Sequence, residues 1–129
     1  MKVFVCIDDK NGMMFNKRRQ SKDRVLIEKI KEIANGEQIF ASEYSKNILP
    51  EATLCENFKD ASGFVFVENP EDLFESKIET LYVFKWNRHY PSDRKFNVSL
   101  INFELVSTED FAGYSHENIT LEVYERKEG

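Results

Sequence analysis

Hydrophobic and polar positions change their spacing along the chain, and each change marks an element. Lys2-Val-Phe-Val-Cys-Ile7 is an almost unbroken apolar run halted by Asp8-Asp9. That is the pattern of a strand covered on both faces, as in α/β proteins. Asp9-Lys-Asn-Gly12 reads as a turn, because Asn-Gly readily supplies positive φ angles. After Met13-Met-Phe15 the chain is basic and polar from Asn16 to Lys22. A helix follows: Val25, Leu26, Ile30, Ile33 and Ala34 fall on one face, and Glu28, Lys29, Lys31 and Glu32 on the other. Ser21 or Asp23 caps its start, and Asn35-Gly36 stops it. Gln38-Ile-Phe-Ala-Ser42 completes a β-α-β unit, whose crossover is expected to be right-handed.

The middle is less regular. Pro50 to Asp60 fits either a helix or an irregular strand, and Gly63-Phe-Val-Phe-Val-Glu68 is a buried strand ended by Asn69-Pro70. Glu71 to Ser76 fits one or two helical turns with Leu73 and Phe74 inward, and Ile78 to Trp86 is rich in β-formers. The loop Asn87 to Lys95 is expected to be the most mobile segment. Ile101 to Ser107 and Asn118 to Arg126 alternate as strands, the second with Ile119, Leu121 and Val123 on one face. Thr108 to Glu117, containing Gly113, joins them as an antiparallel hairpin with a long connection. The sum is one α/β domain over residues 1–129, with a mixed sheet, mostly parallel, a C-terminal antiparallel hairpin and flanking helices.

Composition narrows the function classes. At 129 residues, 41% hydrophobic and 32% charged, the chain has the make-up of one globular domain. Apolar runs such as Gly63–Val67 fall far short of the about 20 residues that span a membrane, so no membrane association is expected. With 23 acidic against 18 basic residues, net −5, the surface is poorly suited to a polyanion and no nucleic-acid partner is expected. The opening run meets Asp8-Asp9 too early for a signal peptide. With Cys6 and Cys55 far apart, a cytoplasmic protein with two reduced thiols is expected.

The order of elements resembles dihydrofolate reductase. Asp9-Lys-Asn-Gly12 after an apolar first strand, the helix ending at Gly36 and Gln38–Ser42 are similar to that family's first third. Leu81-Tyr-Val-Phe-Lys-Trp86, Asn102-Phe-Glu-Leu-Val-Ser-Thr-Glu-Asp-Phe111 and Leu121-Glu-Val-Tyr-Glu-Arg-Lys127 are similar to its last strands. The resemblance implies that fold, shortened in the middle by about one strand-helix unit. It also implies where the chemistry would sit, and those residues differ. The pterin-binding carboxylate falls at Leu26, with Asp23 three residues earlier as the weak catalytic candidate. The supporting threonine falls at Phe84, and the Pro-Trp pair before the helix at the Arg19-Gln20 region. The phosphate-binding Gly-Arg-x-Thr reads Ser42-Glu-Tyr-Ser45, placing Glu43 where an arginine would meet a phosphate. The Gly-Gly turn aligns with Glu68-Asn69, whose side chains and negative charge block a pyrophosphate.

A second resemblance, over the full length, is to chains labelled ribonuclease Z. That enzyme holds two zinc ions through a His-x-His-x-Asp-His motif and further histidines, whereas this chain has only His89 and His116. No metal site is therefore expected.

Other candidate positions follow from residue chemistry. Lys17, Arg18, Arg19 and Arg24 near a helix start form a candidate anion clamp. Cys6, in an apolar strand, is expected to be inert and to line the cleft with Leu26 and Phe84. Tyr82, Phe84, Trp86, Tyr90 and Phe96 form an aromatic set that reads as core packing. His89 and His116 read as solvated loop residues, and the sequence offers no Ser-His-Asp set. The expectation is a dihydrofolate-reductase-like, non-catalytic binding or interaction module, a pseudoenzyme with no cofactor. It would take a small anionic ligand or protein partner from the Asn16–Arg24 side, with homo-oligomerisation left open. The alternatives are a divergent NADPH-dependent reductase of a pterin-like heterocycle and an RNA-processing hydrolase, the latter disfavoured by the missing zinc motif.

Overall fold

In the computed structural model, which describes residues 1–128, strand β1 (Lys2–Ile7) divides the core. Its alternate side chains enter two separate apolar clusters. Phe4 joins Leu26, Ile30, Phe66, Phe84 and Trp86 on one face, while Val3, Val5 and Ile7 join Val65, Leu81 and Val83 on the other. A central strand with both faces covered has no polar face, which is why its sequence reads as a continuous run.

The main sheet also contains β4 (Ile39–Ala41), β5 (Thr53–Leu54), β6 (Phe64–Phe66), β7 (Thr80–Lys85), β9 (Phe103–Phe111) and β10 (Ile119–Arg126), in the order β5-β4-β6-β1-β7-β10-β9. The strands from β5 to β7 are mutually parallel, and β10 runs antiparallel to both β7 and β9. Helix α1 (Arg24–Ala34) lies on the Phe4 face through Leu26, Ile30 and Ala34. Asp23 caps its start by accepting N–H bonds from Val25 and Leu26. Asn35 (φ 50°) and Gly36 (φ 85°) end it in the left-handed region, as Asn-Gly permits.

Three expectations change. The hairpin strand runs from Phe103 to Phe111, not Ile101 to Ser107, so the connection to β10 is shorter than Thr108–Glu117. Pro50–Asp60 resolves into β5 and a 3-10 turn at Phe58–Asp60. Further 3-10 turns, Pro70–Asp72 and Glu75–Lys77, bring Leu73 and Phe74 against the second cluster, so the flanking helices reduce to α1 and short turns among the described residues.

A small second sheet of β2 (Gly12–Phe15), β3 (Arg18–Arg19) and β8 (Arg94–Lys95), ordered β3-β2-β8, was not foreseen. It ties down the Asn87–Lys95 loop expected to be mobile. Asp93 N–H donates to Met14 C=O, Tyr90 N–H to the Asp8 carboxylate, and Asp9 N–H to Arg88 C=O. Among the described residues no helix is long and apolar enough to cross a membrane.

Candidate functional site

The carboxyl end of β1, the start of α1, the end of β6 and the Arg19–Asp23 segment converge on one cleft. It is lined by Cys6, Arg19, Ser21, Asp23, Leu26, Phe66, Glu68 and Trp86, among others, and holds only about 20 Å³ of free space. That is room for a single water and far below an ordinary ligand pocket. Side-chain bulk explains it. Leu26, at the position the resemblance gives to the pterin-binding carboxylate, is buried in the Phe4 cluster. Phe84, at the threonine position, is fully buried beneath it, 6.4 Å from the Phe4 ring and edge-on to Phe111 at 6.2 Å. Burial pushes the Cys6 thiol far up, and the nearby Glu68 charge adds to this while Arg19 opposes it. The thiol is held protonated and unreactive.

The phosphate side is occupied differently. Glu68 does not stand there as a bare negative charge. Arg19 meets it with both Nε (2.7 Å) and Nη2 (3.0 Å), and Ser45 Oγ donates to the same carboxylate at 2.8 Å. The guanidinium also lies over the Tyr44 ring, 4.2 Å from its centre. A bidentate pair of this kind fixes both partners. It removes Arg19 from the pool of free cations. Glu43 is exposed.

The expected clamp is thus dispersed. Lys17 and Arg18 are exposed, Lys17 lines a groove with Ser42, Glu68 and Arg94, and Arg24 stacks on Tyr114 at 3.8 Å. Within the aromatic set, Tyr82, Phe84, Trp86 and Tyr90 pack with the Phe4 cluster, while Phe96 packs on the opposite face. His89 is exposed.

His116, read from the sequence as solvated, is buried at 3% exposure. Its ring stacks on Trp86 at 4.6 Å. Its Nδ1 is 3.0 Å from Asp23 Oδ2, and its Nε2 is 3.1 Å from Ser21 Oγ and 3.0 Å from Tyr90 Oη. The Asp23 side chain has no exposure, and besides capping α1 it accepts the N–H groups of Tyr114 and Ser115 at 2.9 and 2.8 Å. Burial pushes this carboxyl up. The opposing bonds from Tyr114 N–H, His116, Ser115 N–H and Val25 N–H outweigh it and hold Asp23 well below the usual carboxylate range. Gly113 allows the loop to close this tightly, because a Cβ there would lie 2.6 Å from Asp23 Oδ2.

A Ser-His-Asp arrangement, absent from the sequence reading, is therefore present. Its members are separated by 93 and 95 positions, so no local spacing could have shown it. Asp23, the weak catalytic candidate, caps α1 and orients His116. Gln20, which lines the same cleft, has a buried Oε1 without a hydrogen-bond partner.

Outside the cleft, a groove of about 480 Å³ opens beside the start of α1. It is lined by Lys22, Asp23, Arg24, Ile27, Asn47, Ile48, Tyr114 and Ser115.

No family model and no curated protein matches this sequence. Among solved structures, the chain is similar to dihydrofolate reductase from Enterococcus faecalis complexed with NADP(H) and RAB-propyl. The TM-score is 0.74 at 12% identity, covering 98% of this chain and 96% of that one. The chain has a dihydrofolate-reductase-like fold. The comparisons give no support to the ribonuclease Z resemblance, and among the described residues no three His, Cys, Asp or Glu side chains group as metal ligands.

Proposed function

We propose that this chain uses a dihydrofolate-reductase-like scaffold as a binding module, with its pterin and dinucleotide positions closed and its ligand taken in the groove beside the start of α1. The observation that carries this reading is the contrast in space. The inner cleft offers about 20 Å³, whereas the outer groove offers about 480 Å³, within the range of small-molecule sites. Fold alone does not assign a function, so the ligand class is argued from the groove's lining. Ile27, Ile48 and the Tyr114 ring supply apolar surface. Lys22 and Arg24 supply positive charge, and neither is in an ion pair among the described residues. Apolar walls with two unpaired cations at the rim suit a small anion carrying an apolar or aromatic body.

Titration with benzoate and phenyl phosphate, followed by amide chemical shifts, tests this reading. Saturable changes are expected at Lys22, Arg24, Ile27, Ile48 and Tyr114, and Arg24→Glu is expected to abolish them. Unperturbed groove residues, or changes centred on residues 42–45 and 68–69, would contradict it.

A further inference from the structure

Ser21, His116 and Asp23 form a continuous relay, and we propose that it is an acyl-transfer site in which Ser21 is the nucleophile, acting on small carboxylic esters. The proposal stands on this geometry and not on the groove reading above.

The hydrogen bonds fix the proton positions. Asp23 is an acceptor toward five neighbouring donors, the N–H groups of Val25, Leu26, Tyr114 and Ser115 and the hydroxyl of Ser115. The sixth group at this carboxylate, His116 Nδ1 at 3.0 Å, must then carry a hydrogen and donate it. With Nδ1 protonated in the neutral ring, Nε2 is the basic nitrogen, and it faces Ser21 Oγ at 3.1 Å. The Trp86 stack and the Asp23 bond together prevent the ring from turning away. A nucleophile, a base within hydrogen-bond reach and a third group that orients the base are the three parts this chemistry requires.

A stabilising donor is also at hand. Tyr90 O–H donates to Ser21 Oγ at 3.5 Å, which leaves the Nε2 lone pair to the Ser21 hydroxyl, and it can turn to the carbonyl oxygen as Oγ bonds to carbon. The inner cleft that Ser21 lines has room for the hydrolytic water and not for an acyl group, so the ester lies outside it. Lys22, Asp23, Ile27 and Ile48 line both this cleft and the outer groove, so the alcohol portion of a substrate has a place outside.

The steps balance. Ser21 Oγ bonds to the ester carbonyl carbon while its proton passes to His116 Nε2. The bond to the leaving alcohol breaks, and Nε2 returns that proton to the departing oxygen. Water then attacks the acyl-Ser21 carbonyl, giving a proton to Nε2. The bond to Oγ breaks, Oγ recovers the proton, and the carboxylic acid leaves. The net reaction is ester plus water to acid plus alcohol.

The test uses the intact protein with p-nitrophenyl acetate. A burst of p-nitrophenol is expected, with acetyl found on Ser21 by peptide mass mapping. Ser21→Ala is expected to lower the burst rate by at least about 100-fold. Tyr90→Phe is expected to slow acylation while leaving the acetyl on Ser21. Acetyl confined to lysines, or a burst unchanged in Ser21→Ala, would overturn the proposal and leave the relay as a hydrogen-bonded tie between the 113–116 loop and α1. If Ser21→Ala fails to fold, the mass map of the wild-type chain decides alone.

Discussion

Asp23→Ala is expected to lose about 3–5 kcal/mol of folding stability, because it strips a buried carboxylate from several donors at once. If Asp23 were only a helix cap, the loss would be about 1 kcal/mol. The difference comes from the 113–116 loop. Without the carboxylate, the partly buried Tyr114 and Ser115 N–H groups and the buried His116 Nδ1 all lose their acceptor. Denaturant unfolding of the wild type, Asp23→Ala and Asp23→Asn separates these terms, since asparagine keeps the acceptor toward Val25 but not the charge.

The pH dependence has a definite sign. The Asp23 carboxyl is held below its ordinary value in the folded chain, so the unfolded state binds the proton more readily. Its contribution is complete above the unfolded carboxylate range, about pH 4, and is lost as pH falls toward the depressed folded value. Asp8 acts in the same direction. Burial raises its carboxyl, but bonds from the Gly12, Lys10 and Tyr90 N–H groups and from Gln20 outweigh this. The stability gap between wild type and Asp23→Asn is expected to shrink on acidification. A gap independent of pH would show that Asp23 is not the group responsible.

Phe84→Ala is expected to cost about 3–5 kcal/mol, the range for emptying a fully buried aromatic site. The Phe84 ring is enclosed by Phe4, Phe111 and the α1 residues of the same cluster, and little around it is free to collapse. Chemical denaturation measures the loss, and a value below about 1 kcal/mol would show that Phe84 is not the packed floor described here. The cavity this variant opens is not expected to restore reductase chemistry. On the proposed reading, Leu26 still stands where the resemblance puts the pterin-binding carboxylate, and Glu68, where it puts the Gly-Gly turn, stays paired with Arg19.

Some of this was readable in the chain and some was not. The apolar run at Lys2–Ile7, the amphipathic Val25–Ala34 stretch and the alternation at Ile119–Arg126 are properties of single segments, and each formed the expected element. Leu26 and Phe84 could be placed because they sit inside such segments. The second sheet escaped notice because two-residue strands such as Arg18–Arg19 and Arg94–Lys95 carry no periodicity. Arg18–Arg19 returns on β2 through a two-residue turn at Asn16-Lys17, both at positive φ, while Arg94–Lys95 is brought to β2 by tertiary closure. The Arg19–Glu68 and His116–Asp23 contacts join positions far apart in the chain, 49 and 93 residues respectively. Net charge and local composition say nothing about which cation meets which carboxylate. That is why Arg19, read as part of an open clamp, and His116, read as solvated, are both engaged.

The central claim is that bulk and a bidentate ion pair close the two small-molecule positions of this fold. Isothermal titration of the purified chain with NADPH, and separately with dihydrofolate, tests it most directly. The account predicts no saturable heat for either compound through the millimolar range. Stoichiometric binding of NADPH with micromolar affinity, lost on changing Ser45 or Glu68, would contradict it.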